Sequence, residues 1–275
     1  MPVVQTTADV ARWLRIVIAA VVAIALAVAC MRLDLHGIGA VLAGASLPLW
    51  CAAVALNLGP RTAARARRTQ LLLGGRVPFR DVVRLNLAGY AAQALLPGPA
   101  EEIVCSTQLA RRNGFSLREV LSFQALDKSL GAVSVAAVAL VLAPPLVAVA
   151  VGAAGIALLA LGARRLLVPL GWLLVSNVLC LAMIALCIAA VGGQITMLGC
   201  VAILVATSLA AAIPFVPGQV GTLETGFALA AVHHGIAPHV ALAAGVLYHL
   251  AHAAPVTLAG LPLLLRLRWE RAACA

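Results

Sequence analysis

The sequence predicts an all-α polytopic membrane protein, with about six spanning helices plus two re-entrant hairpins forming two inverted repeats in one transmembrane domain, residues 1–275. Three observations predict it. Hydrophobic residues make up 64% of the chain and charged residues 10%, with a mean hydropathy of +1.09, whereas a soluble domain carries roughly 25% charge. The apolar residues form runs of spanning length separated by short basic clusters. Two further runs are short or broken, and each stops at a Pro-Gly. The net charge of +10 therefore points to phospholipid head groups beside basic loops, and not to nucleic acid.

Trp13 to Met31 forms the first expected span. Cys30-Met31-Arg32 is a poor small-residue cleavage site, so the run reads as a membrane helix and not a removed signal. Ile38 to Leu58 follows as the second span. Arg61, Arg65, Arg67, Arg68, Arg76, Arg80 and Arg84, against Asp81, mark the next stretch as a cytoplasmic amphipathic segment resting on anionic lipid. Val82 to Leu96 covers roughly 22 Å as a helix, short of the ~30 Å hydrocarbon core. It ends at Pro97-Gly98-Pro99, carries Glu101 and Glu102 just beyond, and returns to Arg111, Arg112 and Arg118, as a hairpin dipping in from the cytoplasm would.

Leu117 to Leu142 is expected to cross to Pro144-Pro145, Leu146 to Leu161 to return to Arg164 and Arg165, and Leu166 to Val191 to cross again to Gly192-Gly193. Ile195 to Ile213 then breaks at Pro214 and Pro217-Gly218 and continues as Thr222 to Val232, a second hairpin entering from outside. Ile195 to Ile213 is also long enough to span alone, which gives an eight-span alternative. Pro238 to Leu265 returns to Arg266, Arg268 and Arg271. In the two-hairpin arrangement both termini are cytoplasmic, and of the 18 arginines only Arg32 lies outside. The inverted repeats divide near residues 1–142 and 143–275.

Broken helices leave N–H groups without partners at the start of their second halves, and these ends favour an anion. Pro-Gly interruptions at matching places in two halves point to a midplane binding site. The candidate site therefore takes in Pro97, Gly98, Glu101 and Glu102 from one break and Pro217, Gly218, Gly221 and Glu224 from the other. Asp127 and Lys128, the chain's single lysine, add a polar pair within an apolar run. An ionised side chain at a helix centre costs about 2.5–3.5 kcal/mol, which argues for a partner or a function. The bland alternative is an internal ion pair between Lys128 and a glutamate. His249 and His252 share a helix face; without a carboxylate near them in sequence, His249 reads as a polar lining residue and not as a zinc ligand.

The cysteines Cys30, Cys51, Cys105, Cys180, Cys187, Cys200 and Cys274 show no CxxC spacing and read as packing residues. No nucleotide-binding glycine loop, HExxH or GxSxG is present, and the intramembrane-protease pattern of paired glutamates followed by arginine fails at Ser106. No enzymatic activity and no cofactor are expected.

At these motifs the chain resembles the flippase-like family named after the transmembrane region of lysylphosphatidylglycerol synthase. The resemblance rests on Pro97-Gly98-x-x-x-Glu102, Leu109-Ala110-Arg111-Arg112-Asn113-Gly114-Phe115-Ser116, Asp127-Lys128, Pro217-Gly218-Gln219-Val220-Gly221-Thr222-Leu223-Glu224, and Leu247-Tyr248-His249 with Pro255 and Gly260. It implies a bacterial inner-membrane protein that moves lipids between leaflets: phospholipids, hopanoid-type lipids or polyprenyl-linked sugars, with a separate lipid-modifying enzyme as an optional partner. Glu102 and Glu224 would then gate or couple, Asp127 and Lys128 would flank the groove with Tyr248 and His249, and the Pro-Gly breaks would carry the head group. Lys128 and His249 stand where the family favours arginine, and Cys105 stands near another such place. Fewer fixed cations leave room for a neutral or zwitterionic lipid. The rival expectations are a non-transporting partner of a lipid-modifying enzyme, acting through the Arg-rich stretch, and a small-solute transporter.

Overall fold

The structure is a computed structural model and describes residues 35–96, 99–140, 166–211 and 216–272. The expected spans Trp13 to Met31 and Leu146 to Leu161, and the break at Pro97-Gly98, lie outside the described residues. Among the described residues all regular structure is helical: α1 (Leu35–Ala43), α2 (Leu47–Leu56), a π turn (Asn57–Arg61), α3 (Thr62–Leu72), α4 (Phe79–Leu95), α5 (Ala100–Asn113), α6 (Leu117–Ala139), α7 (Leu167–Ala190), α8 (Met197–Ala211), a 3-10 turn (Pro217–Gln219), α9 (Thr222–His233) and α10 (Pro238–Ala272). Among the described residues two helices are long and apolar enough to cross a membrane, Leu167–Ala190 and Pro238–Arg266. A third span exists if His36–Ala43 and Leu47–Leu72, bent by 83°, count as one.

That bend corrects the expected second span, Ile38 to Leu58. Pro48 stands in the first turn of α2, and the Ser46 N–H leaves the helical path to donate to Ala190 O at 2.7 Å, which ties the corner to the end of α7. Beyond the corner the helix does not stop at Leu58. It widens into the π turn at Pro60, which lacks the N–H a regular turn needs, and continues through the arginines. Thr62 Oγ1 donates to Asn57 O at 2.8 Å within this turn.

In each of the two expected hairpins the paired helices pack against one another. In the first, α4 packs along α5, and Gly89 brings the helices so close that a Cβ there would lie 3.0 Å from Glu101 Cγ and 3.1 Å from Cys105 Sγ. In the second, Gly226 of α9 sits against Ala206 and Ala210 of α8. Small residues let helices approach in this way where lipid, not water, surrounds them. α10 braces both hairpins. Its Gly260 lies directly against the Leu87 carbonyl of α4, and its Gly245 against Glu224 and Phe227 of α9.

Two packed cores result. The larger joins Met183, Ile184 and Cys187 of α7, Ile203 of α8, Phe227 of α9, and Ala244 and Tyr248 of α10. The smaller joins Ala66, Leu73 and Val77 to Val82, Leu85, Leu109, Phe115 and Val120 around the first hairpin. Gly114, at φ 65°, ends α5, and Ser116 starts α6 with a capping box closed by Glu119. Cys105, Cys180, Cys187 and Cys200 are buried free thiols and Cys51 is an exposed one.

Candidate functional site

A cavity of about 750 Å³ opens where the two hairpins meet, and its wall alternates apolar and polar groups. The hairpins touch at its edge: Gly218, at φ 60°, packs on the backbone of Ala94 near the end of α4. Its neighbour Gln219 also takes φ 60°, a conformation costly for a residue with a Cβ, and lines the cavity. Of the residues singled out in the sequence, Glu101, Glu102, Lys128, Gly218, Tyr248 and His249 line this space. Pro217 stands in the 3-10 turn.

The carboxylates are placed differently from one another. Glu102 receives Lys128 Nζ at 2.5 Å, and Glu101 receives Arg65 at 3.3 Å. Asp127 and Lys128 do not form one pair. Asp127 leans away from the cavity into a smaller chamber of about 40 Å³ and binds Arg68 at 2.7 Å. α3, α5 and α6 are thus joined by alternating charges, with Arg68 only 8% exposed in its side chain.

The Arg-rich stretch is therefore not an amphipathic segment resting on lipid through all its arginines. Arg61, Arg65 and Arg68 lie three and four residues apart on one helix face and turn inward. The Arg65 guanidinium stacks over the Tyr90 ring, 4.1 Å from its centroid. Arg61 donates to Asn57 Oδ1 at 2.8 Å and to His252 Nδ1 at 3.0 Å. A guanidinium can only donate, so His252 Nδ1 accepts and the ring proton sits on Nε2.

Asn57 fixes this corner. Pro255 in α10 has no N–H for Ala251 O, four residues earlier, and Asn57 Nδ2 supplies the donor at 3.0 Å while also reaching His252 O at 2.7 Å.

In the second hairpin, Glu224 stands at the third position of α9 and accepts the Gly221 N–H at 2.7 Å. Its other oxygen lies 2.6 Å from His249 Nδ1. With the carboxylate ionised, Nδ1 donates, and Nε2 is the remaining polar atom of the ring. This corrects the expected anion-seeking helix end: the chain's own carboxylate already fills the start of α9, and Glu101 and Glu102 occupy the first turn of α5. Gly221 and Glu224 hold the wall from behind and do not line the cavity.

Sequence reading missed Asn57, Arg61, Arg65, Tyr90, Gln93 and Asn177 as site residues, although all but Asn57 line the cavity. The available signal was the shared face of Asn57, Arg61, Arg65 and Arg68. Among the described residues no group of three or more His, Cys, Asp or Glu is placed to hold a metal ion.

Comparison with curated proteins and with solved structures gives no match. The model of the lysylphosphatidylglycerol synthase TM region matches residues 12–164 and 148–260. The apolar helices and a match over nearly the whole length make this a multi-pass membrane protein, and the chain belongs to the family of the lysylphosphatidylglycerol synthase transmembrane region.

Proposed function

We propose that the protein passes a lipid or lipid-linked intermediate between the leaflets of a bacterial inner membrane, its polar head moving through the cavity while the tails stay in the bilayer. The observation that carries this reading is a cavity of about 750 Å³ rich in charged and amide groups inside an apolar helical protein. Its size falls within the range of ligand sites, and charges at membrane depth are retained for a task. The two hairpins act as re-entrant elements of inverted repeats, with both termini cytoplasmic, and no covalent chemistry is required of the chain.

The test is a leaflet-accessibility assay in proteoliposomes with labelled lipids, comparing the native chain with Glu102→Gln/Glu224→Gln. Faster exchange by the native chain, lost in the double variant, supports translocation. No acceleration across a broad lipid panel would sink it. The rival reading, an Arg-rich docking surface for a lipid-modifying enzyme, is weakened because Arg61, Arg65 and Arg68 turn into the protein.

A further inference from the structure

Among the described residues the cavity's charges are unequal, and the inequality lies in Arg61. Arg65 faces Glu101, Lys128 faces Glu102, and behind them Arg68 faces Asp127. Each of these cations has a carboxylate partner, so the network is neutral in sum. Arg61 also lines the cavity, but the bonds the structure gives it go to neutral partners, the Asn57 amide oxygen and His252 Nδ1. Its Nε is buried without a partner, as are those of Arg65 and Arg68, so the missing carboxylate is what sets Arg61 apart.

A partly buried guanidinium that lines a cavity with no acid of its own beside it is a ready partner for an anionic ligand. The residue is also held in place. Asn57 is pinned to α10 just before Pro255 by two hydrogen bonds, and His252 belongs to the same turn, so the guanidinium is oriented before any ligand arrives. Because His252 accepts at Nδ1, its Nε2–H is a further donor in a residue that lines the cavity.

We infer that Arg61, oriented by Asn57 and assisted by His252, is the anchor for a single phosphate group, so that the substrate is a phosphate-bearing lipid and not a neutral glycolipid. This rests on the translocation reading for its lipid source. The phosphate is the shared chemistry; a soluble phosphate ester would present the same group without tails. It narrows the expectation of a neutral or zwitterionic head by removing the neutral, phosphate-free one: Arg61 supplies the charge from another element.

Binding tests this separately from movement. Native protein and Arg61→Gln are equilibrated in mixed micelles holding equimolar dioleoyl phosphatidylglycerol and dioleoyl monogalactosylglycerol, and retained lipid is measured by native mass spectrometry. A parallel arm titrates glycerol 1-phosphate against the retained lipid. The native chain is expected to favour the phospholipid, and Arg61→Gln to lose that preference by roughly tenfold. Arg61→Lys, which keeps the charge but not the fork, is expected to lose it by a few-fold and serves if Arg61→Gln does not fold.

Equal retention of both lipids by the native chain, or a preference untouched in both variants, overturns the proposal. Glycerol 1-phosphate bound through Arg61 with no lipid retained overturns the lipid assignment in favour of a soluble ester. Arg61-dependent retention together with no leaflet exchange upholds the anchor and removes translocation. Exchange without phosphate preference does the reverse.

Discussion

The two hairpins share a plan and differ in what holds them. The first, α4 and α5, rests on the smaller apolar core and is tied in addition by charge: Glu101 to Arg65 and Glu102 to Lys128, with Arg68 and Asp127 behind. The second, α8 and α9, is fastened by fit, with Ile203, Phe227 and Ala231 in the large apolar core and one carboxylate, Glu224, that serves its own helix start and His249. An apolar interface sets its shape through van der Waals contact. Ion pairs hold only while both members remain paired. On the proposed function, the first hairpin is the element whose contacts a charged head group competes for, and the second is the wall against which it works.

The largest expected effect tests the brace that both hairpins share. Gly260→Leu drives a side chain into the Leu87 backbone of α4 and is expected to leave little monodisperse protein on gel filtration. Gly245→Ala meets Phe227 and the Glu224 carbonyl at ordinary contact, 3.4 Å, and is expected to stay within about 1 kcal/mol in thermal unfolding. If the two behave alike, α10 does not seat the hairpins through these glycines.

Next in size is Asp127→Asn. It leaves Arg68 in a confined chamber without its charge partner, and the cost is expected near the lower end of about 3–5 kcal/mol because Asp127 is 22% exposed. A thermal midpoint equal to the native one would show that this charge pair does not hold α6 to α3 behind the first hairpin.

Gly226→Ala and Gly89→Ala form a smaller, paired test. At Gly226 the new methyl meets the Ala206 backbone oxygen at 3.1 Å, and overpacking of about 1–3 kcal/mol is expected. At Gly89 it meets side chains, Glu101 Cγ and Cys105 Sγ, which yield more easily. Gly89→Ala should therefore cost less stability but shift Glu101 and slow leaflet exchange. The opposite ranking would reverse the assignment of rigid and movable hairpins.

Glu224→Gln is expected to be the mildest for folding, under about 1 kcal/mol, since glutamine also closes a capping box. A large loss of thermal stability would mean that the second hairpin, too, depends on a formal charge.

Breaks were easier to read than partners. Val82 to Leu96 is too short to cross and ends in prolines, so the end of α4 follows from length and backbone chemistry; before α9 the Pro217-Gly218 pair alone announces the break, because Ile195 to Ile213 is long enough to cross. The bend before Pro48 was hidden because hydropathy does not register direction: Ile38 to Leu58 is apolar on both sides of an 83° corner. Arg61, Arg65 and Arg68 were read by their number, which suggested a surface, whereas their spacing placed them on one face beside Asn57. Pairing across sequence was least legible. Nothing near His249 in the chain announces Glu224, 25 residues away, and nothing near Asn57 announces Pro255.

The contact between α2 and α10 has an optical consequence. Trp50 Nε1 donates to Leu247 O at 3.0 Å, one helical turn before the Ala251 carbonyl that Asn57 holds. An indole bonded to the backbone of the helix that carries His249 and His252 is a native fluorophore set beside the proposed head-group path. Sliding of α10 against α2 would break that bond and change the indole's surroundings, so the intrinsic emission of Trp50, isolated by replacing the other tryptophans, would follow the motion in real time without an added dye.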